Sequence, residues 1–492
     1  MGVSNLDEQN VKNTSKKNTV GVLGLIAFVL SAMVGGGIYD LPQNMAINAG
    51  QIGQILSWIL TGLIIWFIAR SFMILTDAFP LYKTGLYLYA GAGFGRFAGF
   101  FVSWGYWICE CFANVAYAVL LMSTIDTFFP STFNGGKRVA AIIGGSIILW
   151  LMSILINQGI KGASWVDMLG TLGMLLSVTI FLVVMAIHFK WSTFNVNMLA
   201  DKALPQLQDK SLGSLLDQVK NTMMTTLWVF GGIEGAVVLS DRSRSPQDVV
   251  KATKYGFLLC LLLYAAASLL PLGIASYGQI ANMTAPSSAQ LLETQIGVTG
   301  RLVITFGVII AVLSSWLTWT LMLSEMPYAA AKAGNFPKQF AQENKHKIPS
   351  FSLMASTIVM QVILISTYFL GHAFNSMLNI VGTMTVPPYL ISMLFLVKTA
   401  WKDETWPTVA TISRKRALTT GIFALLGILF MGYAAGIRYT TISFIIYALG
   451  IPFFLLARHQ FAPTEKPMTK GELIFAGAIL AVAIIGLILL FV

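Results

Sequence analysis

Few residues of this chain could do chemistry, and most of those lie where charge is costly. Glu110 stands in the run WGYWICECFAN, Trp104 to Asn114, near the middle of a long apolar stretch. Asn114 is one helical turn further on, and Tyr106 and Tyr117 fall on roughly the same helix face. Such a stripe faces a helix bundle, where an acid either holds a cation or joins a structural hydrogen-bond network. Glu234 lies in a second apolar stretch, within FGGIEG at 230–235. It could exchange a proton during a working cycle or bond to backbone freed by the neighbouring glycines. Trp228 and Trp319 each offer a π-face that can hold a cation with roughly 0.5–2 kcal/mol, or simply pack. Asp40 follows a glycine run and either adds negative potential to an entry path or caps the helix after it.

Other chemistries have no foothold. The histidines (His188, His346, His372, His459) fall at the ends of apolar stretches or between them and form no ligand cluster. Cys109, Cys111 and Cys260 lie inside apolar runs, as small buried residues do. Zinc-protease, nucleophile-elbow and P-loop patterns do not occur. The expectation is a protein that is not an enzyme, with no cofactor and no metal.

The elements that must position these residues are membrane helices. Of 492 residues, 56% are hydrophobic and 10% charged, and the mean hydropathy is +0.75; a soluble domain carries roughly 25% charged residues. Apolar runs of about 20 residues cross a bilayer core as helices, and alternating strand patterns are absent. Thirteen spans are expected, near 20–48, 50–75, 97–128, 138–157, 164–189, 219–241, 252–276, 298–331, 352–371, 375–398, 417–436, 440–458 and 472–492. The segment 211–220 reads equally as a short interfacial helix or as loop.

The net charge of +11 does not indicate nucleic acid. About 23 Lys and Arg fall on one alternating set of loops and about 8 on the other, the asymmetry of cytoplasmic against external loops. It places the N-terminus in the cytoplasm and, with thirteen spans, the C-terminus outside a multi-pass cell-membrane protein.

Two spans carry matching interruptions. The first holds Gly35-Gly36-Gly37 and then Pro42; the sixth holds Gly231, Gly232 and Gly235. Glycine weakens helix, and broken helices at corresponding places in two inverted halves point to a transporter binding site. Close packing through small residues is the other reading. Unwound backbone exposes N–H groups at one half-helix end and carbonyls at the other, which suit a carboxylate and an ammonium without any charged side chain.

These strings carry a family resemblance. Gly35-Gly36-Gly37-Ile38, followed by Leu41-Pro42, resembles the G-S-G-[IV]-F-x-L-P signature of the amino acid–polyamine–organocation superfamily, with Gly36 in place of the usual Ser. WVFGGIEGA at 228–236 resembles the W-x-F-x-G-x-E-[GA] signature of its basic amino acid/polyamine antiporter branch. Asp241 to Arg244, and the stretch from Trp319 to Pro337, fit the same branch.

The resemblance implies an all-α polytopic fold with a five-plus-five inverted-repeat core. A cytoplasmic tail (1–19) would precede the first repeat (20–189), an external connection (190–218), the second repeat (219–398) and extra C-terminal spans (399–492). It implies that Gly36 and Gly37 donate N–H groups to a substrate carboxylate. The carbonyls of Met33, Trp228 and Gly231 would accept from its ammonium. Trp228 would gate above the substrate and Trp319 below it, and Glu234 would sense protons. In the arginine/agmatine antiporter the position matching Asn114 helps hold the guanidinium; Glu110, one turn away, is then read as the counter-charge for a cationic side chain or distal amine.

The expected activity is exchange, by alternating access, of a cationic amino acid for its metabolic product, of arginine/ornithine type. The alternative is exchange of an amino acid for its decarboxylated amine, of histidine/histamine or tyrosine/tyramine type, or agmatine/putrescine exchange. A non-transporting amino-acid sensor is disfavoured by the short N-terminal segment and the near absence of a C-terminal tail. Expected partners are amino acid or amine substrates and the lipid bilayer. Relatives are often dimers, so the resemblance extends to a homodimer, with no interface legible.

Overall fold

The computed structural model describes residues 21–80, 82, 86–129, 132–133, 138–159, 163–233, 246–370 and 373–491. Among these the protein is helical, with a single isolated β-bridge between Leu204 and Asp209. Among the described residues, eleven helices are long and apolar enough to cross a membrane. The first and sixth expected spans are not among them, because these are the two interrupted ones.

The first span is a half-helix α1 (Val22–Met33), a tight 3-10 turn (Gly36–Tyr39) and a short α2 (Leu41–Ala46). Helical geometry stops at Val34, whose ψ is 93°, and Gly35, whose ψ is −170°. Pro42 sits in the first turn of α2, where its missing N–H costs nothing. Two contacts then fix this turn. The Tyr39 hydroxyl lies 2.6 Å from that of Ser177, and a carboxylate oxygen of Asp40 accepts from the Ser287 N–H at 2.9 Å.

α3 (Gln51–Ala78) follows, then a short α4 (Leu86–Phe94) and α5 (Arg96–Ile125). α5 is the bundle's central post: 94% of its apolar window is buried, against 28% for the last helix of the chain. α4 is too short to span and has no counterpart among the expected helices. α6 (Val139–Asn157) and α7 (Ala163–Ile187) lead to a long connection with one turn of helix, α8 (Trp191–Phe194).

The sixth span opens with α9 (Leu215–Val229). Ser214 caps it, its hydroxyl accepting from the Asp217 N–H, so residues 215–220 are the start of the span itself, neither a separate interfacial helix nor a loop. A serine cap three residues before an acid is the local signal that starts this helix at Leu215. Helix geometry ends at Phe230 (φ −94°, ψ 3°), and Gly232 has φ +90°, a conformation that favours glycine.

α10 (Pro246–Leu269) packs on α1, and a one-turn α11 (Tyr277–Ala281) packs on α2. α12 (Ser287–Lys332) begins earlier than the expected eighth span, but Ile296 and Gly297 break its regular geometry, so the membrane-crossing part is the C-terminal portion. It packs on α7 and α5. α13 (Ser350–Ser366) precedes α14 (Ala373–Trp401), which lies against α5 and α15 (Arg414–Ala434). The expected twelfth span is two helices, α16 (Gly436–Ala448) and α17 (Ile451–Phe461), and α18 (Lys470–Phe491) packs on α16.

The C-terminal helices grip the foot of α5. The Glu472 carboxylate of α18 accepts from the Phe97 N–H at 2.9 Å, and Glu465 pairs with both Arg96 and Arg458. The first N–H groups of a helix have no partner within it, so a carboxylate there both caps α5 and docks α18.

Candidate functional site

The two interruptions line one cavity. Met33, Gly35 and Gly37 come from the first break, and Trp228, Gly231 and Gly232 from the second. α5 supplies Tyr106, Glu110 and Tyr117, α10 supplies Tyr264, α12 supplies Trp319 and α14 supplies Tyr389. Six of the wall residues are aromatic, and among the described residues Glu110 is the one ionisable as a carboxylate or base at neutral pH. An aromatic wall with one carboxylate is a chemistry for cations: π-faces and a negative charge both attract them, more strongly when water is excluded.

Each expected residue can now be placed. Met33, Gly37, Glu110, Trp228, Gly231 and Trp319 share the cavity wall. Gly36 is buried in the turn behind it; a β-carbon there would point at Val312, 2.6 Å away. Asn114 is fully buried one turn beyond Glu110 and outside the lining. Its side-chain nitrogen donates to the Glu110 carbonyl at 3.0 Å, and its Oδ1 has no partner among the described residues. Asp40 makes no capping bond to α2, against the capping expectation, and instead accepts from the Ser287 N–H at the first turn of α12. Its carboxyl group is buried, and its bond to the Ser287 N–H satisfies one of the donors left open at the start of α12. Glu234, with Gly235 and Asp241 to Arg244, lies outside the described residues.

The backbone at the breaks carries the polar groups that a small zwitterion needs. The N–H groups of Gly36 and Gly37 open a 3-10 turn, where helix N–H groups lack intrahelical partners. The Met33 carbonyl, on the last residue of α1, accepts from the Tyr264 hydroxyl at 2.7 Å and from the Gly35 N–H at 3.1 Å. The Trp228 carbonyl accepts from the Gly231 N–H at 2.9 Å.

Tyr264, Tyr389 and Thr385 are wall residues that sequence reasoning missed. A signal was present for two of them. Tyr264 is a lone polar side chain inside LLLYAAA, and Tyr389 follows the intrahelical pair Pro387-Pro388.

A helical membrane protein whose two interrupted spans line one polar and aromatic cavity has the build of a carrier for small solutes. The chain belongs to the amino acid permease family, whose model matches residues 20–485. It is 50% identical over 479 residues to a Clostridium perfringens protein named "Putative amino-acid transporter", covering 97% of this chain and 99% of that one. It is 42% identical to the arginine/agmatine antiporter of Chlamydia pneumoniae, covering 94% of each chain. Against the arginine/agmatine antiporter of Chlamydia trachomatis serovar L2 it is 41% identical, covering 98% of each. The resemblance to the basic amino acid antiporter branch thus spans nearly the whole chain.

Proposed function

We propose that this transporter exchanges a cationic amino acid, arginine, for a cationic product of its metabolism. The observation that carries the reading is Glu110, a buried carboxylate on the wall of the cavity that the two broken helices share. The breaks hold the amino acid's head group, the Gly36 and Gly37 N–H groups taking the carboxylate and the carbonyls of Met33, Trp228 and Gly231 the ammonium. The side chain runs along the aromatic wall toward Glu110. Trp228 covers the head group, Trp319 closes the opposite side, and Glu234 is the proton-sensing position. The N-terminus is cytoplasmic, and the two halves rock around the site so that it opens to one side at a time.

Agmatine is the first exchange partner to test, because full-length relatives bear the name arginine/agmatine antiporter; ornithine is the second. Both keep a distal cation and an amine. Uptake of labelled arginine into liposomes loaded with agmatine, with ornithine or with neither tests the assignment.

A further inference from the structure

The Met33 carbonyl is not alone at the head-group end of the cavity. The Tyr264 phenol lies 2.7 Å from it and donates its proton to it, while the Gly35 N–H approaches at 3.1 Å. A carbonyl oxygen has two lone pairs; the Tyr264 proton takes one at close range, and the longer contact from Gly35 leaves the other open to share with an ammonium. An incoming ammonium at this point needs a further acceptor.

Tyr264 is that acceptor by its own chemistry. A phenol has one proton, and here the proton is directed at Met33; what remains on the oxygen is acceptor capacity. Tyr264 is itself part of the cavity wall. Its ring cannot swing freely. It stacks on Trp58 at 6.2 Å and meets Phe230 edge-on at 5.4 Å, and the Trp58 indole N–H is pinned to Ser268, one turn further along α10, at 2.8 Å. Phe230 belongs to the second break, so one side chain touches both interruptions.

We propose that the Tyr264 hydroxyl is a direct acceptor for the substrate's ammonium, forming with the Met33 carbonyl a two-oxygen edge that selects ligands bearing a primary amine. This deepens the cationic amino acid reading above and rests on it. The phenol acts as acceptor toward the ligand and donor toward Met33, so the ammonium keeps its proton throughout.

The test is Tyr264→Phe, which keeps both ring contacts and removes only the hydroxyl. Binding to the purified full-length protein is measured by displacement of labelled arginine with arginine, agmatine and 5-guanidinopentanoate, which is arginine without its α-amine. The affinities for arginine and agmatine fall about tenfold, as for loss of a hydrogen bond to a charged group, while that for 5-guanidinopentanoate stays within about twofold. Equal losses for all three ligands would make the hydroxyl merely structural and overturn the proposal. Unchanged or tighter arginine binding would overturn it too, since the hydroxyl would then be idle or a competitor for Met33. A wild-type protein that binds neither arginine nor agmatine overturns the cationic reading itself, an outcome distinct from a failure of Tyr264 alone.

Discussion

The indole of Trp228 rests directly on the α-carbon of Gly37. A β-carbon at position 37 would lie 1.8 Å from Cη2 and 2.2 Å from Cζ3 of that ring, so a glycine in the first break is what lets an aromatic side chain from the second close over it. Gly37→Ala should displace the indole, lower arginine affinity by at least about tenfold and change the intrinsic tryptophan fluorescence. The double variant with Trp228→Leu, which removes the clashing ring edge, should leave the added methyl with little further effect relative to Trp228→Leu alone. Additive losses in this cycle would show that the two residues do not meet.

Glu110→Gln keeps the shape of the side chain and removes its charge. Arginine affinity should fall by about ten- to a hundredfold, because a buried charge-assisted contact carries about 1.5–3 kcal/mol. Binding of a neutral amino acid of similar length should change little, so selectivity for cations is lost. Competition against labelled arginine measures both, and unchanged selectivity would remove Glu110 from the site.

Asp40 ties the turn after the first break to α12. Asp40→Ala leaves the Ser287 N–H without its acceptor and should lower stability by about 1–3 kcal/mol. Asp40→Asn, which retains an oxygen acceptor, should cost less. Thermal unfolding in detergent reads the order, and identical midpoints for the two variants would contradict it.

The loop that clamps the foot of α5 should respond to acid. The hydrogen bond from Arg458, with the positive charge of Arg96, holds the Glu465 carboxyl below its ordinary value of 4.5. Its contribution to stability is therefore complete above that value and is lost as pH falls through the lowered one. The protection of residues 462–469 against hydrogen exchange, corrected for the intrinsic pH dependence of exchange, should fall at acid pH in the wild type and be low already at neutral pH in Glu465→Gln. A flat profile in both proteins would mean that the exposed ion pairs hold nothing.

Much of this was legible in the chain because lipid makes the rules strict. Apolar runs of membrane length had to be helices, and glycine clusters inside two of them, at 35–37 and 231–232, marked the breaks. What could not be read was what lies across from each residue. Asp40 looked like a cap for α2 because the cap position is local, whereas its partner Ser287 is 247 positions away. Tyr264 was indistinguishable from a packing residue until α10 lay beside the first break. Gly36 and Gly37 were equivalent as letters, yet one faces the cavity and the other Val312. The extension of α9 back to Leu215 was hidden by the polar residues of its first turns, which sit at a helix end where polarity is tolerated.

Counterflow in proteoliposomes tests the central claim most directly. Labelled arginine outside should accumulate in vesicles loaded with agmatine or ornithine and stay near background in vesicles loaded with buffer, and Glu110→Gln should abolish the difference. Equal uptake into loaded and empty vesicles would contradict exchange, and no uptake of arginine under any loading would contradict the cationic substrate.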